Sequence, residues 1–445
     1  METPQIPALG RQDSSQDANQ AADTTPGPVE TTLQTTLQTT LQATLQALQD
    51  HLQQQPQQRL TFADYMDWAL YDPAQGYYSQ RVALGQGGDF FTSAHLGPDF
   101  GQLLAVQFQE MWQVLGQPQP FTLVEMGAGE GLLAADILAY LEHHDRPCFE
   151  ALHYGIVERS PRLRHQQRQT LAPWVASDPP ALEQPGAHPA QTVQWYTWDQ
   201  LTANPIVGCC FSNELVDAFP VHQVVATGGQ LREVYVTWDH QQHRPVEVLG
   251  DLSTPALAAY FADLGLNLTQ PPYGDGYRTE VNLAAQDWLT TVAQGLQRGY
   301  VLTLDYGYGS DRYYQPSRAQ GTLQAYRRHR HHNEPYQAPG HQDLTAHVNF
   351  TALEQWGDRQ GLRPLGFVPQ ALFLMALGLG DRLAALSNPA TAPPSLPDLL
   401  QRRDALHQLL DMSSSGLGNF GVLLQGKGLS PAEQGQTLRG WQEPV

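Results

Sequence analysis

Two carboxylates follow the stretch Ile206-Val207-Gly208-Cys209-Cys210-Phe211, an apolar run that reads as a buried strand and stops abruptly at Ser212-Asn213-Glu214, with Asp217 three residues on. Acids at the end of a strand select a cation. A guanidinium in particular offers planar, paired N–H donors that two carboxylate acceptors match. Hydrogen bonds to such a group fix an attacking nitrogen and orient its lone pair, so Glu214, Asp217 and Asn213 are the candidate catalytic residues. The same residues would also serve as caps on a helix start.

A second chemical signal is Leu123-Val124-Glu125-Met126-Gly127-Ala128-Gly129-Glu130-Gly131, an apolar strand delivered into a glycine turn that runs directly into a helix. Glycines there allow a tight turn and close approach of backbone to a ligand, and the free N–H groups of the helix start favour a polar or anionic group. Dinucleotide folds favour G-x-G-x-x-G, whereas this loop is G-x-G-x-G with Glu125 two residues before the first glycine. A carboxylate so close would repel a pyrophosphate but can hold the ammonium of an amino-acid moiety, which fits S-adenosyl-L-methionine. The candidate cofactor residues are therefore Glu125, Gly127, Ala128, Gly129 and Gly131. Glu158, ending the next strand, is placed for the ribose hydroxyls, and Asp199, in the Thr197-Trp198-Asp199 turn, for the adenine with Trp198 as a stacking wall. Glu158 could equally be a solvated helix-start acid and Asp199 an N-cap. Transfer of a methyl group from a sulfonium is an in-line displacement in which positioning and local charge are the main tools, so no metal is expected.

These residues need a scaffold that brings strand ends together. After Pro120 the sequence alternates short apolar strands with helices: "FTLVEM", "GLLAADILAYLEHH", "LHYGIVE", "SPRLRHQQRQTLA", "TVQWY", "IVGCCFS", then a probable hairpin of "QVVAT" and "LREVYVTW", and later "GYVLTLDYG", a helix from Thr351, "LRPLGFV" and "NFGVLLQ". That order implies an α/β doubly wound, largely parallel sheet. Residues 59–118 read as a helical N-terminal segment of the catalytic domain and 119–430 as that domain, with insertions at about 239–292 and 307–350 and a tail at 431–445. Residues 1–58 are polar and low in complexity, and are expected to be a disordered extension that buries little. Within them Leu33, Leu37, Leu41 and Leu45 recur four apart, a stripe that drifts on a 3.6-residue helix and reads as a linker or weak helix, with a coiled-coil partner site as the alternative.

The formal net charge is −20, which argues against nucleic acid and anionic lipid and favours a basic target. Only Cys148, Cys209 and Cys210 are present, and neither a disulfide framework nor a zinc pattern follows from them. A reducing compartment is implied. The first 20 residues lack a basic start and an apolar core and hold a single arginine, so a cytoplasmic location is expected. The longest apolar run, "ALFLMALGLG", is about half the roughly 20 residues a membrane span needs, and no membrane insertion is expected. "YRRHRHHNEP", Tyr326 to Pro335, tempts a metal or nucleic-acid reading; it lacks Cys or carboxylates at zinc spacing and sits in an acidic chain, and reads instead as an insertion at the mouth of the site.

Taken together, "VEMGAGEG", "IVERSPRLRHQQ", "SNELVDAFPVHQ", "GDFFTS", "LDYG" and "GTLQAYRRHRHH" with "GHQDLTAHVNF" resemble the MidA family of class I SAM-dependent methyltransferases, over about residues 59–430. The resemblance implies a Rossmann-like class I methyltransferase fold. The family includes a mitochondrial arginine methyltransferase that assists complex I assembly. For this chain the resemblance therefore implies symmetric dimethylation of an arginine on a complex I-like subunit. One departure stands out: where many members read Thr-Ser-Pro-Glu after "GDF", this chain has Thr92-Ser93-Ala94-His95, so a substrate contact made by that glutamate would be missing. Three rival functions remain: a small-molecule methyltransferase, a non-catalytic SAM-binding assembly factor and a nicotinamide-dependent oxidoreductase, the last disfavoured by Glu125 and the glycine spacing.

Overall fold

A computed structural model describes residues 28–80, 92–175, 193–327, 330–388, 395–413 and 416–443. The "GDFF" part of one motif and the histidine at 329 lie outside them. Seven strands form the central sheet: β1 (Phe121–Met126), β2 (Leu152–Val157), β3 (Val193–Trp195), β4 (Ile206–Asn213), β5 (Leu296–Asp305), β6 (Arg363–Pro369) and β7 (Gly421–Lys427), in the order β6-β7-β5-β4-β1-β2-β3. β1 to β5 are mutually parallel. β7 inserts antiparallel between β5 and β6 and closes the sheet.

Strand alternation sorts the side chains of this sheet into two cores. Phe121 and Leu123 of β1, Cys209 and Phe211 of β4 and Tyr300, Leu302 and Leu304 of β5 pack on one face with the helices Asp99–Val114 and Leu132–His144. Val124, Met126, Cys210 and Val301 point to the other face, toward the helices Leu283–Gly295 and Phe350–Arg359. Period-2 alternation with both sets apolar is the signature of a sheet covered on both sides. The adjacent cysteines are thus in different cores, and burial pushes the Cys210 thiol up to about 12.

A second, antiparallel sheet was only partly visible in the sequence. The hairpin of His222–Thr227 and Gln230–Asp239 forms as expected, but it is joined by Arg244–Gly250, Tyr277–Val281 and the two-residue strand Leu60–Thr61. The insertion expected at 239–292 is consequently shifted: the strands before 239 belong to this sheet, and Leu283–Gly295 is the crossover helix packed beneath β5. The expected tail also packs. Leu438 is 3% exposed, Gly440 N donates to Gln107 Oε1 at 2.9 Å, and Trp441 lies edge-on to Phe373.

The chain divides into two compact units, Met1–Ala43 and Thr44–Val445. Against the expectation of a disordered extension over residues 1–58, a helix runs from Pro28 to Gln54. In the second unit Leu48 and Leu52 are 0% and 1% exposed and pack with Leu60, Phe62, Tyr65 and Met66. The physical reason is that Leu48 and Leu52, which follow the stripe of Leu33 to Leu45, lie four residues apart and so share one helix face, which meets the neighbouring helix Phe62–Tyr71. Thr44 Oγ1 bonds to Gln75 Oε1 at 2.9 Å and faces His341 Nε2 at 3.0 Å. Each buried leucine is worth about 1.5–3 kcal/mol. Deleting residues 1–43 should therefore leave the melting temperature within about 2 °C of the full chain, whereas deletion through 55 should lower it by several degrees; thermal melts of both truncations followed by circular dichroism check this.

Candidate functional site

A cavity of about 610 Å³ opens at the carboxyl ends of β1, β2 and β4. This is the point where the strand order reverses direction, the usual place for a ligand in an open α/β sheet. At its cofactor end the glycine turn follows β1. Gly127, Gly129 and Gly131 have φ of 72°, 52° and 83°, a region that residues with a Cβ rarely adopt. A Cβ on Gly127 would come within 2.7 Å of Leu215 Cδ1, so backbone, not side chain, faces the cavity there. Gly127, Ala128 and Gly129 all line the cavity, and Gly131 starts the helix Leu132–His144.

Glu125 lines the same end and is 3% exposed. Burial pushes its carboxyl up to about 7, and a hydrogen bond donated by the Tyr154 hydroxyl at 2.7 Å pulls the other way. Glu158 also lines the cavity, accepting from Ser160 N at 2.8 Å and from Gln167 Nε2 at 3.1 Å, with its pKa raised by burial. Gln167 is a residue the sequence reading passed over. Fully buried, it also donates to Gly129 O at 2.9 Å and accepts from Trp195 Nε1 at 2.8 Å, tying the ends of β1, β2 and β3 together.

The assignment of Asp199 to the adenine is not supported by its position. Thr197 caps the helix Trp198–Ala203 in a capping box with Gln200, which leaves Asp199 exposed in the first turn and off the cavity lining. Trp198 packs against the second core instead.

At the other end of the cavity stand Asn213, Glu214 and Asp217, brought together as the sequence suggested. Glu214 has φ of 52°, a left-handed conformation that costs energy for a residue with a side chain and is found disproportionately at functional sites. Its N–H donates to Leu304 O at 2.9 Å, and its Oε1 accepts from Ser93 N at 3.0 Å and Asn213 Nδ2 at 3.2 Å. Although partly open to the cavity, Glu214 is surrounded by protein, and that desolvation raises its pKa to about 8, with Asp217 adding to the rise. Asp217 is 2% exposed and pushed to about 6 by burial, while Tyr306 favours its ionised form without closing a hydrogen bond to Asp217 Oδ1.

Asp305 and Asp343 were missed although each lies in a motif already singled out, and His95 was noted only as a departure. Asp305, in "LDYG", accepts through one oxygen from Leu215 N, Val216 N and Asp217 N at 3.2, 2.9 and 3.3 Å. Asp343, in "GHQDLTAHV", lines the cavity and accepts from the Tyr78 hydroxyl at 2.9 Å. His95, the departure noted above, is turned toward the glycine loop: Thr92 N donates to its Nδ1 at 3.2 Å and its Nε2 is 3.9 Å from Glu130 Oε2. It faces the cofactor end, while the neighbouring Ser93 backbone holds Glu214.

Comparison with known proteins bears on this geometry. A model of a family of S-adenosyl-L-methionine-dependent methyltransferases matches residues 103–368. The chain belongs to that family. It is 31% identical over 361 residues to the mouse protein named "Protein arginine methyltransferase NDUFAF7, mitochondrial", covering 78% of this chain and 77% of that one. The human protein of the same name is 29% identical, covering 78% and 76%. A crystal structure of a superfamily member from Burkholderia thailandensis bound to S-adenosyl-homocysteine superposes with a TM-score of 0.74 at 30% identity, covering 93% of this chain and 96% of that chain. The methyltransferase therefore uses S-adenosyl-L-methionine, and the glycine turn with Glu125 and Glu158 around one cavity fits that cofactor.

The expected cytoplasmic location does not hold, because these curated relatives are named mitochondrial and point to mitochondria instead. The three cysteines are free and buried, which does not single out the cytoplasm. Among the described residues no helix is long and apolar enough to cross a membrane.

Gly129→Val should abolish the rise in melting temperature that S-adenosyl-homocysteine gives the methyltransferase, since a β-branched residue cannot hold φ of 52° against the ligand; a thermal-shift titration reads it. Glu214 also predicts a pH dependence of stability. Its folded pKa of about 8 lies above its ordinary 4.5, so the folded state holds the proton more tightly. That stabilisation is complete below 4.5 and is lost as the pH rises through 8. The melting temperature of the wild type should accordingly fall relative to Glu214→Gln between about pH 5 and pH 8.5.

Proposed function

We propose that the methyltransferase modifies an arginine side chain of a protein substrate, forming symmetric dimethylarginine on a subunit of a complex I-like NADH/quinone oxidoreductase and aiding its assembly. The observation that carries the arginine reading is the pair Glu214 and Asp217, two enclosed carboxylates in the same cavity as the glycine turn. The relatives' designation as protein arginine methyltransferases supports it. The subunit and the symmetric product rest on the resemblance to the MidA family. The net charge of −20 adds that a basic, still unassembled partner would be drawn to this chain.

The residues that line the cavity or adjoin its lining divide the work. Glu125, Gly127, Ala128, Gly129, Gly131 and Glu158 would hold the cofactor, which supplies a methyl group already activated on a sulfonium. Ser93 N and Asn213 fix Glu214 through Oε1, leaving Oε2 to accept from the guanidinium. Asp217 offers a buried Oδ1 with no hydrogen bond. As the new N–C bond replaces the methyl–sulfur bond, the nitrogen would give up one N–H proton to a carboxylate of this pair. An ionised form is needed for both tasks. A bound guanidinium beside Glu214 favours that form and lowers the pKa from its value in the empty site.

Glu214→Gln keeps the shape and removes the charge. It should lower kcat/KM by about 10–100-fold, the equivalent of roughly 1.5–3 kcal/mol for a charged hydrogen bond, with cofactor binding intact. In the wild type kcat/KM should rise with pH through the range of about 6 to 8 set by Asp217 and Glu214, and the upper inflection should vanish in the variant. Incubation with methyl-labelled cofactor and the isolated subunit, followed by sequencing of the labelled peptide, tests the substrate. Label on arginine is expected; label on lysine, on a carboxylate or on a small metabolite sinks the reading, and full activity of Glu214→Gln sinks the mechanism.

A further inference from the structure

The substrate end of the cavity is not built from strand ends alone. Asp343 reaches it on the short strand Asp343–Thr345, part of a three-stranded sheet with Gln324–Arg327 and Arg330–His332 in the segment between β5 and β6. It is 1% exposed. The Tyr78 hydroxyl donates to its Oδ2 and Leu344 N to its Oδ1, both at 2.9 Å. Tyr78 stacks on Tyr71 with ring centroids 5.5 Å apart and planes 18° from parallel. The Tyr71 hydroxyl donates to Ala218 O at 2.9 Å, one residue beyond Asp217. Ala346 N closes the circuit by donating to Asp217 O at 2.9 Å.

Two flat rings thus bridge from Asp343 to the turn that carries Asp217. Both phenols are pushed up by burial first, and both also feel Asp343 and Asp217, as rings set between two carboxylates must. Within this wall Asp217 Oδ1 is buried without a hydrogen bond, an acceptor left for something that enters the cavity. The arginines at the rim are already engaged: Arg159 pairs with Asp67 at 3.0 Å and sets its own guanidinium over the Tyr71 ring at 4.6 Å, and Arg162 donates to Gln80 O at 2.8 Å. A pocket of parallel aromatic rings and carboxylates fits a planar, delocalised cation, which can lie flat against a ring while its edges donate in pairs; a compact ammonium is also drawn to a ring face but can neither lie flat on it nor donate in coplanar pairs.

We propose that Asp343 is the third carboxylate of the substrate's cation pocket and, with Tyr71 and Tyr78, sets its preference for a guanidinium over an ammonium. Asp343 is in this view a positioning and specificity residue, and the proposal rests on the arginine reading above.

The test is ligand-observed NMR titration of the full chain, saturated with S-adenosyl-homocysteine, with Nα-acetyl-arginine amide and Nα-acetyl-lysine amide. The wild type should bind the arginine probe at least about tenfold more tightly than the lysine probe. Asp343→Asn can still accept from Tyr78 but has lost its charge, and should bind the arginine probe about tenfold more weakly with unchanged affinity for S-adenosyl-homocysteine. Tyr78→Phe removes the hydrogen bond and leaves the charge, and should lose less than about threefold. Equal losses in the two variants would make Asp343 only a support for Tyr78, and unchanged binding in Asp343→Asn, or no preference in the wild type, would also overturn the proposal. A wild type that binds S-adenosyl-homocysteine but neither probe would instead remove the arginine reading and this proposal together.

Discussion

One buried carboxylate, Asp305, holds the turn on which the chemistry is arranged. Three successive backbone N–H groups, of Leu215, Val216 and Asp217, converge on its Oδ2, and its Oδ1 accepts from Tyr306 N. Such a set of donors does for a carboxylate what water would otherwise do. Its pKa is nevertheless raised, by burial first and then by the neighbouring Asp217. The fold therefore assembles several acids where solvent cannot screen them, and the backbone geometry of β4 and β5 keeps them apart and oriented. Glu214 shows the strain this entails: it sits in a left-handed conformation, pinned by Leu304 of β5 on one side and by Ser93 on the other.

The proposed substrate end of the cavity is a joint product of segments far apart in sequence. β4 supplies Asn213 and leads into Glu214 and Asp217, the N-terminal helical region supplies Tyr71 and Tyr78, and the segment between β5 and β6 supplies Asp343. The cofactor end, by contrast, is local to the β1 and β2 turns. This division matches what a methyltransferase requires: a common cofactor cradle in the sheet, and a recognition surface added by insertions.

Much of the sheet was legible because β1 and β2 are short strands each followed by a helix, as in Leu123-Val124-Glu125-Met126 before the glycine turn, and because β4 and β5 are continuous apolar runs. Glu125, Glu158 and the Asn213-Glu214-Asp217 group were legible for the same reason, since a strand end in such a sheet is a predictable place. The second sheet was not, because Leu60–Thr61 pairs with Tyr235 and Val236, and no local pattern announces a partner so distant. Asp343 escaped notice because it meets the cavity and Tyr78, distant in sequence, only in the folded chain. Asp199 stands off the cavity lining, in a Thr-Trp-Asp turn that leaves two residues able to cap and in which Thr197 does so. The end of the N-terminal helix was undervalued because Leu48 and Leu52 follow the leucine repeat, and their burial is decided by Phe62, Tyr65 and Met66.

The hydrogen bonds of Gln167 carry a mechanical consequence. One buried amide grips Gly129 O, Glu158 and Trp195 at once. It cannot turn without breaking a bond to one of three neighbouring strand ends. The ends of β1, β2 and β3 consequently form one stiff jaw of the cleft. Any widening needed to admit a protein chain must be taken up by the opposite jaw, where Tyr71, Tyr78 and Asp343 meet the Asp217 turn.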